Sequence, residues 1–408
     1  MVLSVRRRAR WLALFLFVLF SCGVAAAVAV QLRAWYHYRA AQRALDAYHF
    51  AEASKHLAVT LRAWPNSWRV RLLAARAARL DWDAEQAQKH LYFCQQTQTN
   101  NPLVLLEWSL LRAQFGDLGT VEGYLRERLL DGSEYTLLIQ EALIEGYMRT
   151  YRINLAMASV EDWLKGRPDD TQALFLRGCI LLQVERPQLA LTSYRQVLEL
   201  DPQRDDARWL LAQCLLKLRL YEEANPYLEY LHRQYPQKVE MKVELAGVRL
   251  KQGNVAEAQE LLDAVLAEHP NNEPALRERG RLDLTVGKAA EAEKWLRQAA
   301  QINPRDIQLL QLLSFALENQ GKQEEAKVFK ERQRQTDRDF ARLSTILLHE
   351  LMQRPSDAAL HSELGALLLR LGHRQAGRNW LLLALQEDPT CASARAALES
   401  TNQEVSAR

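Results

Sequence analysis

The chain has 408 residues, of which 48% are hydrophobic and 25% are charged, and its formal net charge is +3. This composition is typical of a folded protein and excludes a disordered chain. So small a net charge does not favour nucleic acid as a partner. The length exceeds one ordinary globular core, a limit that does not apply to a stack of repeats, because each repeat packs only on its neighbours.

A basic segment over residues 1–10 precedes an apolar segment over residues 11–32. The basic segment holds four arginines, and residues 11–30 that follow carry no charge. Twenty helical residues span about 30 Å, which is the thickness of the hydrocarbon core of a membrane. The sequence therefore predicts one transmembrane helix over residues 11–32. The basic N-terminus is expected in the cytoplasm, because arginine is enriched on that side of a membrane.

Two alternative interpretations of the apolar segment remain open, a cleaved signal peptide and a lipoprotein signal. Ala25, Ala26 and Ala27 are small residues suited to cleavage of a signal peptide. Cys22 follows a stretch that is similar to a bacterial lipobox, although Phe20 is bulky for that motif. Either alternative would change how the chain is attached to a membrane.

Alanine recurs at a fixed step of 34 residues through the centre of the chain. The positions are Ala156, Ala190, Ala224, Ala258, Ala292 and Ala326, and a proline follows each of the first five after twelve residues. The register extends to Ala53, Ala87 and Val121 and, after a step of 51, to Gly377; Ala, Gly or Ser lies twelve residues before nearly all of these positions. This period predicts a solenoid of helix pairs, in which small residues mark the points where the two helices of a pair cross closely.

The segment ALFLRGCILLQVERPQLALTSYRQVLELDP, residues 173–202, resembles the tetratricopeptide repeat (TPR) family. Gly178, Ala190, Tyr194 and Pro202 fall at motif positions of that family. The resemblance extends over residues 34–391 in about ten slots and is less regular over 68–136. It implies an all-α, right-handed solenoid of about ten helix pairs with a concave groove that binds other proteins.

The last two motifs are separated by an extra half repeat at about residues 327–357. This segment is strongly charged up to Arg342 and then apolar at Leu343, Ile346, Leu347 and Leu351. We predict lengthened helices whose apolar stripe packs under the last repeat, and a docking arm is the alternative. Residues 392–408 are predicted to form a capping helix and a tail.

The sequence contains no group of residues that predicts catalysis. Its five cysteines form no C-x-x-C pair, and His349-Glu350 lacks the second histidine of a zinc protease motif, because Gln353 stands at that place. The glycine motifs that bind phosphate are missing as well. We therefore expect no enzymatic activity, no cofactor, no metal and no small-molecule substrate.

The resemblance also implies which residues line the groove. They lie on the first helix of each repeat and include Phe175, Trp209, Gln213, Lys217, Arg277, Arg281, Gln308, Gln311 and Phe315. We expect Trp209 and Phe315 to be apolar anchors for an extended protein segment, and Arg277 and Arg281 to be charge contacts. The alternative is that Phe175 and Trp209 pack between adjacent repeats.

Together these features predict a membrane-anchored TPR scaffold or adaptor that assembles or stabilises a cell-envelope complex. The expected localisation is a bacterial inner membrane, with a cytoplasmic N-terminus and the repeats outside the cytoplasm. One alternative is a non-catalytic accessory subunit of an envelope enzyme or secretion system. A third possibility is a signalling adaptor that faces the cytoplasm.

Overall fold

The computed structural model describes the backbone of residues 2–132 and 134–406, and the side chains of Ser21 and of residues 23–132 and 134–400. Within this part of the chain the regular elements are helices, and no strand occurs. The helices are α1 (Val2–Asp46), α2 (Phe50–Ala63), α3 (Trp68–Leu80), α4 (Ala84–Thr97), α5 (Pro102–Gln114), α6 (Glu122–Leu130), α7 (Thr136–Arg149), α8 (Ile153–Gly166), α9 (Thr171–Gln183), α10 (Pro187–Leu200), α11 (Asp205–Lys217), α12 (Tyr221–Gln234), α13 (Val239–Lys251), α14 (Val255–Glu268), α15 (Glu273–Thr285), α16 (Ala289–Ile302), α17 (Ile307–Glu318), α18 (Gln323–Thr345), a π-helical segment (Ile346–Glu350), α19 (Leu351–Gln353), α20 (Ala358–Arg370), α21 (Arg374–Glu387) and α22 (Ala392–Ser406).

The chain divides into two compact units, Met1–Gly146 and Tyr147–Arg408. In the first unit α1 packs on α2 and α3 on α4, and in the second unit consecutive helices pair in the same way from α9 to α18 and again at α20 and α21. Successive pairs then contact each other, so each hydrophobic cluster is shared by neighbouring repeats. The predicted all-helical solenoid of helix pairs is confirmed.

The small residues of the 34-residue register lie where the helices of a pair cross. Ala190 and Ala258 are fully buried, as are the other alanines of the register through Ala326, which is 1% exposed. Gly365 on α20 and Gly377 on α21 face each other: a Cβ atom added to Gly365 would lie 2.8 Å from the carbonyl oxygen of Gly377. The backbones therefore approach so closely that no larger side chain fits at this crossing.

Replacing Gly365 by alanine is expected to lower the free energy of unfolding by about 1–3 kcal/mol, because the methyl group would collide with backbone atoms that cannot move independently. Gly123→Ala is the matched control. A Cβ atom there meets nothing within 4 Å, so this change in α6 is expected to be neutral or stabilising by up to about 1 kcal/mol. Chemical denaturation followed by circular dichroism measures both. Equal midpoints for the two variants would contradict the close crossing.

One residue with a positive φ lies in the turn of nearly every helix pair, and these residues follow the same register. Glycine occupies this position at 116, 253, 287, 321 and 372, with φ between 76° and 95°. At Tyr48, Trp82, Tyr151, Glu185 and Arg219 a larger residue adopts the same left-handed conformation, with φ between 55° and 62°. The turn geometry is thus shared by both units, and glycine is the residue that adopts it at the lowest steric cost.

The extra half repeat is a continuation of α18, which has 23 residues and passes directly into the π-helical segment. Leu343, Ile346, Leu347 and Leu351 are buried. Two charged contacts hold α18 against α20. The guanidinium of Arg370 donates to both oxygens of Asp339 at 2.9 and 2.8 Å, and Arg342 donates to Glu363 at 2.6 and 2.7 Å.

The first and last repeats of the second unit contact each other. Trp380 Nε1 on α21 donates to the backbone carbonyl of Thr150 at 2.8 Å, across 230 residues of sequence. The hydroxyl of Tyr151 lies 2.9 Å from Nε2 of His373, and α8 contacts the π-helical segment. The repeat array of this unit therefore closes on itself, and we call these contacts the closure.

The first unit contains a buried charged network. Arg79 on α3 is 0% exposed and Glu107 on α5 is 1% exposed, and Arg79 Nε donates to Glu107 Oε1 at 2.8 Å. Arg76 Nε donates to the other carboxylate oxygen at 3.0 Å, and Arg79 Nη1 donates to Gln114 Oε1 at 2.7 Å. Two adjacent repeats are thus joined by charge-assisted hydrogen bonds in addition to apolar contacts.

No helix in the part of the chain that the structure describes combines the length and the apolarity needed to cross a membrane. The predicted anchor over residues 11–32 is therefore not supported. The side chains of residues 11–20 and of Cys22 lie outside those that the structure describes.

Candidate protein-binding cavity

Two adjoining cavities lie among the repeats of the second unit. Their volumes are about 1070 and 810 Å³. They share the lining residues Glu185, Leu216, Lys217, Tyr221, Lys251, Arg281 and Gln308, so together they form one depression, which we call the central cavity. Phe340 and Leu371, from the last part of the repeat array, also line it.

Seven of the nine predicted binding residues line the central cavity. They are Gln213, Lys217, Arg277, Arg281, Gln308, Gln311 and Phe315. They come from α11, α15 and α17, which are the first helices of three repeats. The shared phase that the sequence indicated therefore brings these side chains to one surface.

Phe175 does not line the central cavity. Its ring makes an edge contact with Tyr194 at 5.8 Å between ring centroids, and the guanidinium of Arg204 lies 4.9 Å from its centre. Arg204 is buried at the start of the next repeat. The structure thus supports the alternative that Phe175 packs between adjacent repeats. Trp209 is half-buried on α11 and is also not among the residues that line the central cavity.

Arg277 lines the cavity, but its charge is already balanced within the protein. Its guanidinium pairs with Asp306, with Glu273 at 3.5 Å and with Glu278 at 3.4 Å. Burial lowers the pKa of Arg277, but the three carboxylates outweigh burial and raise the pKa above its usual value. The predicted role of Arg277 as a charge contact for a partner is therefore weakened. Sequence reasoning missed this because Asp306 belongs to the following repeat.

Arg281 has fewer acidic partners than Arg277, since among the described residues only Glu278 pairs with it. One Nη donates to Gln308 Oε1 at 3.2 Å and lies 3.2 Å from Glu278, while its buried Nε has no hydrogen-bond partner. Lys251 and Arg219 line the cavity beside it. Sequence reasoning did not select Arg219, because it lies in the turn between α11 and α12 and not on a first helix. Its place in the positive-φ register is the signal that could have identified it.

An exposed aromatic ring stands at the same cavity. Phe315 on α17 is 50% exposed, which is unusual for a residue of a helix that otherwise packs its leucines inside. Leu312 and the exposed amides Gln308 and Gln311 line the cavity with it. The combination of an apolar ring and exposed amides suits an extended peptide, whose backbone groups need hydrogen-bond partners.

Within the described residues no group of three or more His, Cys, Asp or Glu side chains is arranged to hold a metal ion. Burial raises the pKa of Cys94 to about 11 and that of Cys214 to about 12. Since the thiolate is the reactive form of cysteine, these two thiols are protonated at neutral pH and unsuited to nucleophilic chemistry.

Two family models, both described as tetratricopeptide repeat, match residues 175–239 and 215–278. No curated protein matches the chain in sequence. Among solved structures, a tetratricopeptide repeat protein from Parabacteroides merdae is 19% identical, with 61% of this chain and 98% of that chain covered and a TM-score of 0.39.

Two other solved structures are similar. The Cut9–Hcn1 hetero-tetramer of APC/C is 14% identical, with 90% of this chain and 75% of that chain covered and a TM-score of 0.46. PilW, a type IV pilus biogenesis factor, is 19% identical, with 64% and 97% covered and a TM-score of 0.36. The two family models together cover residues 175–278, and the 34-residue register of buried small residues continues on both sides of that segment.

Proposed function

We propose that the protein is a non-catalytic scaffold whose central cavity binds an extended segment of a partner protein. TPR proteins bind other proteins, and this chain carries the repeats. The observation that carries the proposal is the convergence of seven predicted groove residues on one cavity. Phe315 receives an apolar side chain of the partner, and Gln308 and Gln311 bond to its backbone.

Site-directed photo-crosslinking in cells tests where the partner binds. A benzophenone amino acid replaces Phe315 in the cavity or, as a control, Leu382 on α21, whose side chain is 43% exposed. We expect a partner protein to be captured from position 315 and not from position 382. Capture from position 382 alone would place the interface on another surface.

Replacing Phe315 by alanine is expected to weaken binding of the captured partner by about 2 kcal/mol or more, because aromatic anchors dominate the energetics of interfaces. Leu382→Ala removes a side chain of similar exposure outside the cavity and is expected to leave the affinity unchanged. Titration of the purified partner, followed by calorimetry, measures both changes. The helical circular dichroism signal should be the same in both variants, since Phe315 is half exposed. Wild-type affinity of the Phe315→Ala variant would contradict the proposed site.

We also propose that the protein acts at a bacterial inner membrane, where it holds an envelope complex together. This proposal rests on the sequence, in which four arginines precede twenty uncharged residues. Alkaline phosphatase fused after Arg408 should be active, because this enzyme folds only outside the cytoplasm. An inactive but normally expressed fusion would favour the cytoplasm-facing adaptor.

The mass of the purified protein distinguishes an intact N-terminus from cleavage or lipidation.

A further inference from the structure

The central cavity has more positive charge than its own acidic residues balance. Lys217 Nζ pairs with Glu185 at 3.0 Å, and Lys330 pairs with Glu318, so these two carboxylates are already occupied. Asp306, which also lines the cavity, pairs with Arg277, and burial raises the pKa of the fifth acidic lining residue, Glu244. In the described part of the chain, no carboxylate forms an ion pair with Arg219 or Lys251. Glu278 is the acidic partner of Arg281, and it is shared with Arg277.

Arg219, Lys251 and Arg281 therefore form one positive cluster, which we call the cationic cluster. Burial lowers the pKa of Lys251, and the charges of Arg281 and Arg219 lower it further, although the charge of Glu278 opposes them. Like charges within interaction range raise the local potential, and an anion bound among them would relieve this repulsion. The buried Nε of Arg281 has no hydrogen-bond partner among the described residues, so the charge of this guanidinium is incompletely satisfied.

The surroundings of the cationic cluster favour a protein segment over a nucleic acid. Phe315 and Leu312 line the same cavity as Arg219 and Lys251, so an apolar side chain can be buried beside the charge. Single-stranded nucleic acid is bound by a row of cations along the phosphates and by several stacking rings. Here the exposed aromatic rings of the central cavity are Phe315 and Phe340, Phe315 stands beside the amides of Gln308 and Gln311, and the net charge of the whole chain is only +3.

From this geometry we propose, building on the function proposed above, that the occupant of the central cavity is an acidic segment of a partner protein. An Asp or Glu side chain of that segment binds the cationic cluster, and a neighbouring large apolar side chain packs on Phe315. Charge complementarity selects the segment and speeds its association, and the apolar contact slows its release.

Arg219 offers a substitution that removes charge without disturbing the fold. Its backbone has a φ of 60°, and glycine occupies the equivalent turn position at 253, 287 and 321. Arg219→Gly is therefore compatible with the turn and removes one cation of the cluster. Lys251→Gln removes a second cation from an exposed position, and Lys294→Gln is the matched control, since Lys294 is exposed on α16.

The test is selection of random twelve-residue peptides on the immobilised full-length chain. We expect the enriched peptides to carry Asp or Glu next to a large apolar residue. The affinity of the leading peptide should fall about tenfold when its acidic residues become amides, and about tenfold in the Arg219→Gly, Lys251→Gln double variant. The Lys294→Gln variant should bind as the wild type does. Raising the salt concentration should weaken binding to the wild type more than to the double variant.

Each other outcome has a distinct meaning. Enriched peptides without an acidic preference, or acidic peptides that bind the double variant as tightly as the wild type, would overturn the acidic partner and leave the scaffold function standing. No enrichment above a blank surface would count against both proposals. An RNA oligonucleotide that displaces the leading peptide and loses affinity in the double variant would assign the cationic cluster to nucleic acid and overturn the inference.

Discussion

Replacing Arg79 by methionine is expected to lower the free energy of unfolding of the first unit by about 3–5 kcal/mol. Methionine fills much of the space of the arginine stem but leaves Glu107, which is 1% exposed, with Arg76 as its remaining cation. A buried carboxylate that has lost its main partner keeps the cost of its desolvation. Gln114 also loses its donor, since Arg79 Nη1 bonds to its side-chain oxygen.

Two control variants separate this effect from a general loss of charge. Arg112→Met breaks an ion pair with Asp117 in which both side chains are about half exposed, and is expected to cost at most about 1 kcal/mol. The double variant Arg79→Met, Glu107→Leu removes both buried charges and should recover much of the lost stability. Urea denaturation of the three variants measures the differences. A double variant as unstable as Arg79→Met alone would show that packing, and not the unpaired charge, is responsible.

The same network predicts a dependence on pH. Burial raises the pKa of Glu107, but the charges and hydrogen bonds of Arg79 and Arg76 outweigh it and hold the pKa below its usual value. A carboxyl with a lowered pKa in the folded state stabilises the fold above the pKa of the unfolded chain, about 4.3 for Glu. This stabilisation is lost as the pH falls through the folded-state pKa. The stability difference between wild type and the double variant should therefore shrink in acid.

Replacing Trp380 by alanine is expected to destabilise the second unit by about 3–5 kcal/mol, because a large buried ring is removed. Trp380 is 5% exposed, contacts the ring of His361 at 4.9 Å between centroids and donates to the carbonyl of Thr150. Trp380→Phe keeps most of the ring and removes the donor, with an expected cost of about 1–3 kcal/mol. Trp35→Ala, at a side chain that is 54% exposed, is the control and should have little effect.

Hydrogen exchange shows whether the loss acts through the closure. In Trp380→Phe the amides of residues 150–153 should exchange faster, although they are more than two hundred residues from the substitution in sequence. Amides of α13, in the middle of the array, should keep their wild-type protection until global unfolding. Faster exchange confined to α20 and α21 would mean that the contact with Thr150 contributes no stability.

The repeat architecture was predictable because its determinants are local and periodic. The position of Ala190 must hold a small residue because two helices cross there. The same requirement applies at the equivalent position of every repeat, so it produces a regular spacing in the sequence. The cavity residues Gln308, Gln311 and Phe315 were found for the same reason, since the first helix of each repeat keeps one phase. The turn at Arg219 was missed because arginine is not a typical residue of a left-handed turn, and only its place one repeat before Gly253 marks the position.

Contacts between residues of different repeats could not be predicted from the sequence. Arg277 pairs with Asp306, and Trp380 donates a hydrogen bond to Thr150. Neither pair has a sequence separation that is typical of a known motif. Phe175 was assigned to the groove by its motif position, but its packing depends on Arg204, which begins the next repeat. A motif position fixes the helix face on which a side chain lies, whereas the neighbouring repeat decides whether that face remains open.

The closure also constrains how this protein can evolve and be engineered. In an open solenoid, duplication or deletion of one repeat lengthens or shortens the array and leaves the other interfaces intact. Here the carbonyl of Thr150 and the indole of Trp380 meet only if the intervening helices advance by the right rotation and rise. Inserting one 34-residue repeat between them would change this rotation and rise, so the two groups would no longer form their hydrogen bond. Changes in the number of repeats between α8 and α21 should therefore be selected against. An engineered extension of the chain should be placed outside this segment.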